Sequence, residues 1–209
     1  HYVLDLWFEK CIKKQLYGEA YLVRFADDFL IMFQYERDAQ RVYEAVIKRM
    51  ELFGLELSKE KTRILPFGRY SGSRETFDFL GFTHFNSKTR KGYYTVGHKI
   101  SRKKKKQFKS NLKKWVKENR NTQFDEFMKT LNKKLTGSVN YYSLSGMIRE
   151  VRNLWIHSLY VTFKWLNRRS QRKSFKLEKF YEIWNVRIIR PYIHVDIWSG
   201  DKVIYIKNV

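Results

Sequence analysis

A single cysteine, Cys11, among 209 residues rules out an internal disulfide framework and any all-cysteine zinc site, and it fits a reducing, intracellular setting. No apolar run approaches the roughly 20 residues that span a bilayer, so no membrane partner is expected, and no signal-peptide pattern opens the chain. Histidine is sparse too: the five are scattered, and none stands at a metal-ligand spacing from another or from Cys11. His157 is expected to be a packing residue on a helix. Acidic residues run short in one part only. Residues 1–80 hold 13 Lys/Arg against 13 Asp/Glu, whereas residues 81–209 hold 30 against 8, so the second part carries the whole excess of +22. Charge needed only for solubility would not segregate in this way. A neutral part joined to a cationic part suits a protein whose chemistry sits in one place and whose hold on a polyanion sits in another.

What is present is enough apolar matter for a core, 43% hydrophobic and 17% aromatic residues, as one large domain or two small ones. The chain begins with His1 rather than Met, and residues 1–8 already read as mid-helix, so a piece of a longer polypeptide is expected. Val3, Leu6, Trp7 and Cys11 mark one face of that lead helix, with Gly18 where it would stop. Two apolar runs, 22–25 and 29–33, flank Ala26-Asp27-Asp28 and predict a β-hairpin with two carboxylates at its tip. A helix follows over 37–53, with Ala39, Val42, Tyr43, Val46, Met50 and Phe53 on one face and Gly54 at the stop. A strand is expected at Thr62–Leu65, ended by Pro66. Residues 77–82 and 93–96 resemble the arms of a second hairpin, with a polar loop from Asn86 to Gly92. After Gly97 the pattern turns helical: Phe108, Leu112, Trp115 and Val116; then Phe124, Phe127, Met128, Leu131 and Leu135, with Thr122 and Asp125 as an N-cap signature and Gly137 as the stop; then Ile148, Val151, Leu154, Trp155 and Leu159. The order predicts an α+β unit over 1–100 and an all-α bundle over 101–190. A short strand segment is expected over 191–209, alternating through Ile193, Val195 and Ile197 and then Val203 and Tyr205.

Adjacent carboxylates between two hydrophobic strands repel unless a cation sits with them. Hard oxygen ligands at a tight turn suit Mg²⁺, which takes one or two carboxylates together with substrate phosphates. In two-metal phosphoryl transfer such ions activate an attacking 3′-hydroxyl and steady the leaving pyrophosphate. A polar hairpin turn is the plainer account of the same two residues. In the second part, Lys99 to Arg120 contain eleven Lys/Arg and one acid, Glu118. As a merely solvated helix face these charges would repel one another without relief, and phosphate neutralisation supplies it. Lys99, Arg102, Lys103, Lys104, Lys105, Lys106, Lys109 and Lys113 are the candidate RNA contacts. Arg149, Arg152, Lys164, Arg168, Arg169, Arg172 and Lys173 extend the surface. Trp115, Trp155, Trp165, Tyr141 and Tyr142 are candidate base platforms, but helical spacing assigns Trp115 and Trp155 to the core.

Phe25-Ala26-Asp27-Asp28 resembles the Tyr-x-Asp-Asp box of reverse transcriptases, with the Ala common in group II intron enzymes and Phe25 in place of Tyr. The likeness continues in order. Residues 54–62, ending in Lys61-Thr62, are similar to the family's next motif, 77–82 to its primer-gripping hairpin, and 131–142, with Gly137 ahead of Asn140-Tyr141-Tyr142, to its thumb or maturase segment. Over about residues 1–170 the chain is thus identified as resembling a group II intron reverse transcriptase/maturase, namely a partial palm followed by a basic helical thumb. The resemblance implies Mg²⁺ as cofactor, RNA template or intron RNA and a DNA primer as partners, and a cytoplasmic ribonucleoprotein. It implies that Asp27 is a metal ligand and that Asp28 shares or tunes the site. Phe25 would bear on nucleotide handling, and Lys61 would neutralise or protonate pyrophosphate, unless it is a plain surface lysine. Phe79, Leu80 and Gly81 would press on the primer backbone, although packing explains Phe79 and Leu80 equally well.

Nothing before Asp27 supplies the further aspartate, nucleotide-binding segment and fingers that such enzymes need; Asp5 lies in the lead helix. The chain alone is therefore expected to be inactive, with catalysis belonging to a parent that includes the upstream fingers and palm. The alternative is a non-catalytic RNA-binding maturase module that assists splicing. A basic DNA-binding protein unrelated to polymerases would require a recognition helix with base-reading side chains, and none stands out.

Overall fold

The lead helix expected at the N-terminus is present but wound more widely. Tyr2–Leu6 and Phe8–Ile12 are π-helical and Lys13–Gln15 is a 3₁₀ turn. Bonding from i to i+5 widens the turn, and the fully buried residues are Leu4 and Phe8. Val3 and Trp7 are partly buried beside them, while Cys11, expected on the inner face, is exposed. The computed structural model describes residues 2–58, 60–169 and 174–193. It divides into two compact units, His1–Leu80 with His84–Val96, and Gly81–Thr83 with Gly97–Val209.

In the first unit, β1 (Ala20–Phe25) and β2 (Asp28–Phe33) form the expected antiparallel hairpin, with Ala20 opposite Phe33 and Phe25 opposite Asp28. Side chains alternate across a strand, so Ala20, Leu22, Phe29, Ile31 and Phe33 turn inward against the lead helix and α1 (Glu36–Leu52). Helix α1 buries Ala39, Val42, Val46 and Met50 from the stripe foreseen for it, and also Asp38. The expected stop glycine, Gly54, has φ of +67° and follows the helix.

The strand expected at Thr62–Leu65 is absent. Those residues lie in an irregular segment, where Lys61 and Thr62 amides both donate to the Ser58 carbonyl and the Arg63 guanidinium donates to the Thr76 carbonyl. No neighbouring strand pairs with them among the described residues, and an unpaired strand has no ladder to hold it. The second hairpin is a three-stranded sheet in the order β3 (Thr76–Phe79), β4 (Phe82–Lys88), β5 (Tyr94–Ile100). The run 77–82 breaks at Leu80-Gly81, both with positive φ, which is the two-residue turn that suits antiparallel strands. Asn86, expected in a loop, lies in β4 and ties the preceding segment down. Its Oδ1 accepts from the Gly68 amide at 3.2 Å and the Tyr94 hydroxyl at 2.9 Å, and its Nδ2 donates to the Ser73 carbonyl at 2.8 Å.

The second unit is helical: α2 (Arg102–Asn119), α3 (Phe124–Tyr142), α4 (Ile148–Leu166) and α5 (Leu177–Arg187). One core joins Leu112, Val116, Phe127, Met128, Leu131, Leu135, Trp155, Leu159, Phe180 and Trp184. Trp155 is buried as expected, and Trp115 packs on that core, its ring stacked 5.0 Å from Phe127. Helix α3 departs from the expectation at both ends. Gln123, not Thr122, is its N-cap residue, and Gly137 lies inside it rather than closing it. The apolar stripe continues from Leu135 to the buried Val139, so packing carries the helix past a residue with poor intrinsic propensity. Helix α5, which no sequence pattern had singled out, fills the core with Phe180 and Trp184. Residues 191–193 are irregular, and the remainder of the expected C-terminal strand, with Val195, Ile197, Val203 and Tyr205, lies outside the described residues, as do Arg172 and Lys173. Among the described residues no helix is long and apolar enough to cross a membrane.

Candidate active site and nucleic-acid interface

The tip of the β1–β2 hairpin is a two-residue turn, Ala26-Asp27, closed by the Phe25–Asp28 pair. φ is +53° at Ala26 and not positive at Asp27, the pattern of a type II′ turn, whose first loop position ordinarily takes glycine. Asp27 and Asp28 are both exposed, and Phe25, 65% exposed, faces outward opposite Asp28. The outer face of the hairpin continues through the exposed Tyr21, Val23 and Met32.

Two anchors that the sequence reading did not single out hold this hairpin, one at its tip and one at its base. The first is Arg24. It lies on the inward side of β1, an unusual place for a charge, and reaches the lead helix: its Nε and Nη2 donate to Asp5 Oδ1 and Oδ2, both at 2.7 Å. Its Nη1 donates to the Ala26 carbonyl at 2.7 Å, so one guanidinium spans the helix and the turn. The hydrogen bond from Arg24 holds the Asp5 carboxyl below its ordinary value, against a smaller opposing effect of burial. Both Asp5 oxygens are thus engaged, and Asp5 is not the free third carboxylate of a metal site.

The second anchor is Asp38, buried in the first turn of α1. Its Oδ2 accepts from the Tyr17 amide at 3.0 Å and the Gly18 amide at 3.1 Å, fixing the chain where it enters β1. Gly18 is favoured by proximity rather than by φ: a Cβ there would lie 2.7 Å from Gln34 Oε1 and from the Tyr35 ring, so both side chains would have to shift. An acid in a first helical turn beside a glycine-containing entry loop is the signal that could have revealed this contact.

Two adjacent, exposed carboxylates of hard oxygen character fit Mg²⁺ as part of a donor set. Among the described residues no group of three His, Cys, Asp or Glu converges, so the other ligands of such an ion would be water, substrate phosphate or a donor from elsewhere. Lys61 lies in the segment between α1 and β3, exposed, and no hydrogen bond or ion pair joins it to either aspartate.

Phe79 ends β3, and Leu80 (φ +51°) and Gly81 (φ +83°) form the β3–β4 turn. In the helical unit the Gly81 carbonyl accepts from the Ser101 amide at 2.9 Å, and Phe82 stacks on Tyr141 and meets the edge of Tyr142, each with ring centres 5.5 Å apart. Tyr141 and Tyr142 thus pack on Phe82, the first residue after this turn, while Asn140 accepts from the Tyr192 hydroxyl instead. Tyr142 is partly buried there, and burial raises its hydroxyl pKa.

Of the basic candidates, Lys99, Arg102, Lys103, Lys104, Lys106, Lys109, Lys113, Arg149 and Arg168 are exposed. Lys105 pairs with Glu150 at 2.5 Å. Arg169 turns inward, its Nε and Nη1 donating to the carbonyls of Leu166 and Arg120. Arg102 to Lys106 crowd the N-terminal turn of α2, where the helix dipole is already positive, which strengthens the case for an anion. His157 is partly buried, and burial, followed by the nearby charge of Lys109, lowers its pKa.

Residues 2–84 match the reverse transcriptase (RNA-dependent DNA polymerase) family, and residues 105–183 match the group II intron maturase-specific domain. No curated protein matches the chain.

Proposed function

Because the chain belongs to the group II intron reverse transcriptase and maturase family, we propose that it is the C-terminal part of an RNA-directed DNA polymerase that also grips intron RNA. The observation that carries this reading is the exposed Asp27-Asp28 turn, held by Arg24 on a hairpin whose entry Asp38 fixes, in a chain whose other unit bears a strongly basic helix. Asp27 and Asp28 would hold Mg²⁺. A metal held there would supply Lewis-acid activation of a primer 3′-hydroxyl and charge stabilisation for the leaving pyrophosphate. Phe25 presents its ring beside Asp28 to the incoming nucleotide, and Lys61 offers an ammonium to the leaving group. Phe79, Leu80 and Gly81 would bear on the primer backbone, the left-handed turn at Leu80-Gly81 offering main chain to the strand. Lys99, Arg102, Lys103, Lys104, Lys106, Lys109, Lys113, Arg149 and Arg168 neutralise RNA phosphates.

The upstream fingers and palm of the same protein supply the remaining carboxylate and cover the outward apolar face of β1–β2. The protein works inside the cell as a ribonucleoprotein. The test is primer extension on an RNA template with Mg²⁺ by the full-length protein beside its Asp27→Asn variant. Extension that disappears in the variant supports the polymerase and the metal role. If neither extends a primer while salt-dependent RNA binding persists, the chain is instead a non-catalytic maturase module, a reading to which Phe25 in place of the usual Tyr lends some weight.

A further inference from the structure

Among the described residues, Trp165, in the last turn of α4, is the indole with three cations around it, where Trp7 and Trp115 have one each. Lys117 Nζ lies 5.8 Å from its ring centre, the Arg120 guanidinium 5.6 Å and the Arg168 guanidinium 5.2 Å. None of the three forms an ion pair with an acid among the described residues. The Trp165 ring packs partly on the helical core and is partly open. Its N–H has no hydrogen-bond partner among the described residues, whereas that of the buried Trp155 donates to the Ile189 carbonyl.

Helix polarity accounts for only part of this. The C-termini of α2 and α4 meet here and bring roughly half a negative charge each. Arg169 already answers that charge by donating to the carbonyls of Leu166 and Arg120, which also ties the two helix ends together. Three further cations then remain around one aromatic ring. A phosphate can bridge them, and the base next to it can lie against the open part of the indole, which is how sequence-tolerant sites hold single strands.

We infer that Lys117, Arg120, Arg168 and Trp165 form a subsite for one unpaired nucleotide of a nucleic-acid strand, its phosphate among the cations and its base on the indole. A duplex cannot use the indole, because its bases are stacked within the helix. The inference rests on the nucleic-acid-binding reading above and adds a strand-type preference at a defined place.

The experiment measures binding of an unstructured RNA oligonucleotide, a single-stranded DNA of the same sequence and a double-stranded RNA to the full-length protein over a range of KCl. The variants are Trp165→Leu, Trp165→Phe and Arg120→Gln/Arg168→Gln. Trp165→Leu should weaken single-strand binding about tenfold at unchanged salt slope and leave duplex RNA unaffected, and Trp165→Phe should restore most of the loss. The double Arg variant should lower the single-strand salt slope by about 1.4. A loss on RNA, on DNA or on both identifies which strand the platform serves. Wild-type binding that neither the Trp165→Leu nor the Arg variant changes, or a Trp165→Leu loss equal for duplex and single strand, overturns the subsite alone. Absence of any nucleic-acid binding by the wild type overturns the functional reading and the subsite with it.

Discussion

Replacing Asp38 with alanine should loosen the entry to the β1–β2 hairpin more than any surface change. Two backbone donors, the amides of Tyr17 and Gly18, point at one buried carboxylate oxygen at 3.0 and 3.1 Å. Hydrogen bonds to charged groups contribute about 1.5–3 kcal/mol each, and they are not independent, so a loss of about 3 kcal/mol is expected. The favourable position of an acid in the first turn of α1 adds less than about 1 kcal/mol. For a domain of this size that corresponds to a fall in Tm of roughly 15 °C. Asp38→Asn keeps one oxygen for the two amides and should cost about half as much. Amide hydrogen exchange gives the local readout, since Tyr17 and Gly18 are themselves the donors. Their protection should collapse in Asp38→Ala and survive in part in Asp38→Asn, alongside the denaturant midpoints of the chain. If both amides exchange as in the wild type, and the unfolding free energy changes by less than about 0.5 kcal/mol, Asp38 does not anchor β1.

Three further outcomes follow from local geometry. Gly137→Ala should stabilise the helical unit by about 0.5–1 kcal/mol, because a Cβ there meets nothing within 4 Å and α3 regains propensity; equilibrium denaturation reads the change. Ala26→Gly should relieve the positive φ of +53° and stabilise the first unit by about 0.5–1 kcal/mol in the same measurement, while destabilisation would argue against the turn geometry. The Asp5 carboxyl, held below its ordinary 3.8 chiefly by the hydrogen bond from Arg24, should titrate upward toward that value in Arg24→Gln when followed by NMR. Since the folded-state pKa is the depressed one, the contribution of this pair to stability is present above pH 3.8 and is lost as the pH falls below it, so the wild type and Arg24→Gln should converge in acid.

The residues carried by hydrophobic period and by chemical type were legible without coordinates. The Asp27-Asp28 hairpin, the inner face of α1, the stripes of α2, α3 and α4, and the segregation of cations all follow from local sequence, because period 2 and period 3.6 select a face before any partner is known. Strand pairing was less legible. Thr62–Leu65 has strand-like residues and no neighbour to pair with, and Leu80-Gly81 turns in a left-handed conformation that leucine seldom adopts, so the sheet gained a strand where an unbroken arm was expected. Gly137 fails as a stop for the same kind of reason, since burial of Val139 outweighs one unfavourable residue.

What the sequence by itself determined is the order of the elements, the acidic turn and the place of the positive charge, each set by neighbours a few residues apart. Only the tertiary structure decided how those charges are used. It pairs Arg24 with Asp5 across 19 positions and joins Asp38 to Tyr17 and Gly18, and it spends Lys105 on Glu150 and Arg169 on helix carbonyls while Lys117, Arg120 and Arg168 converge on Trp165. Hydrogen bonds and ion pairs act over about 3 Å, and chain folding alone brings residues so distant in sequence within that range.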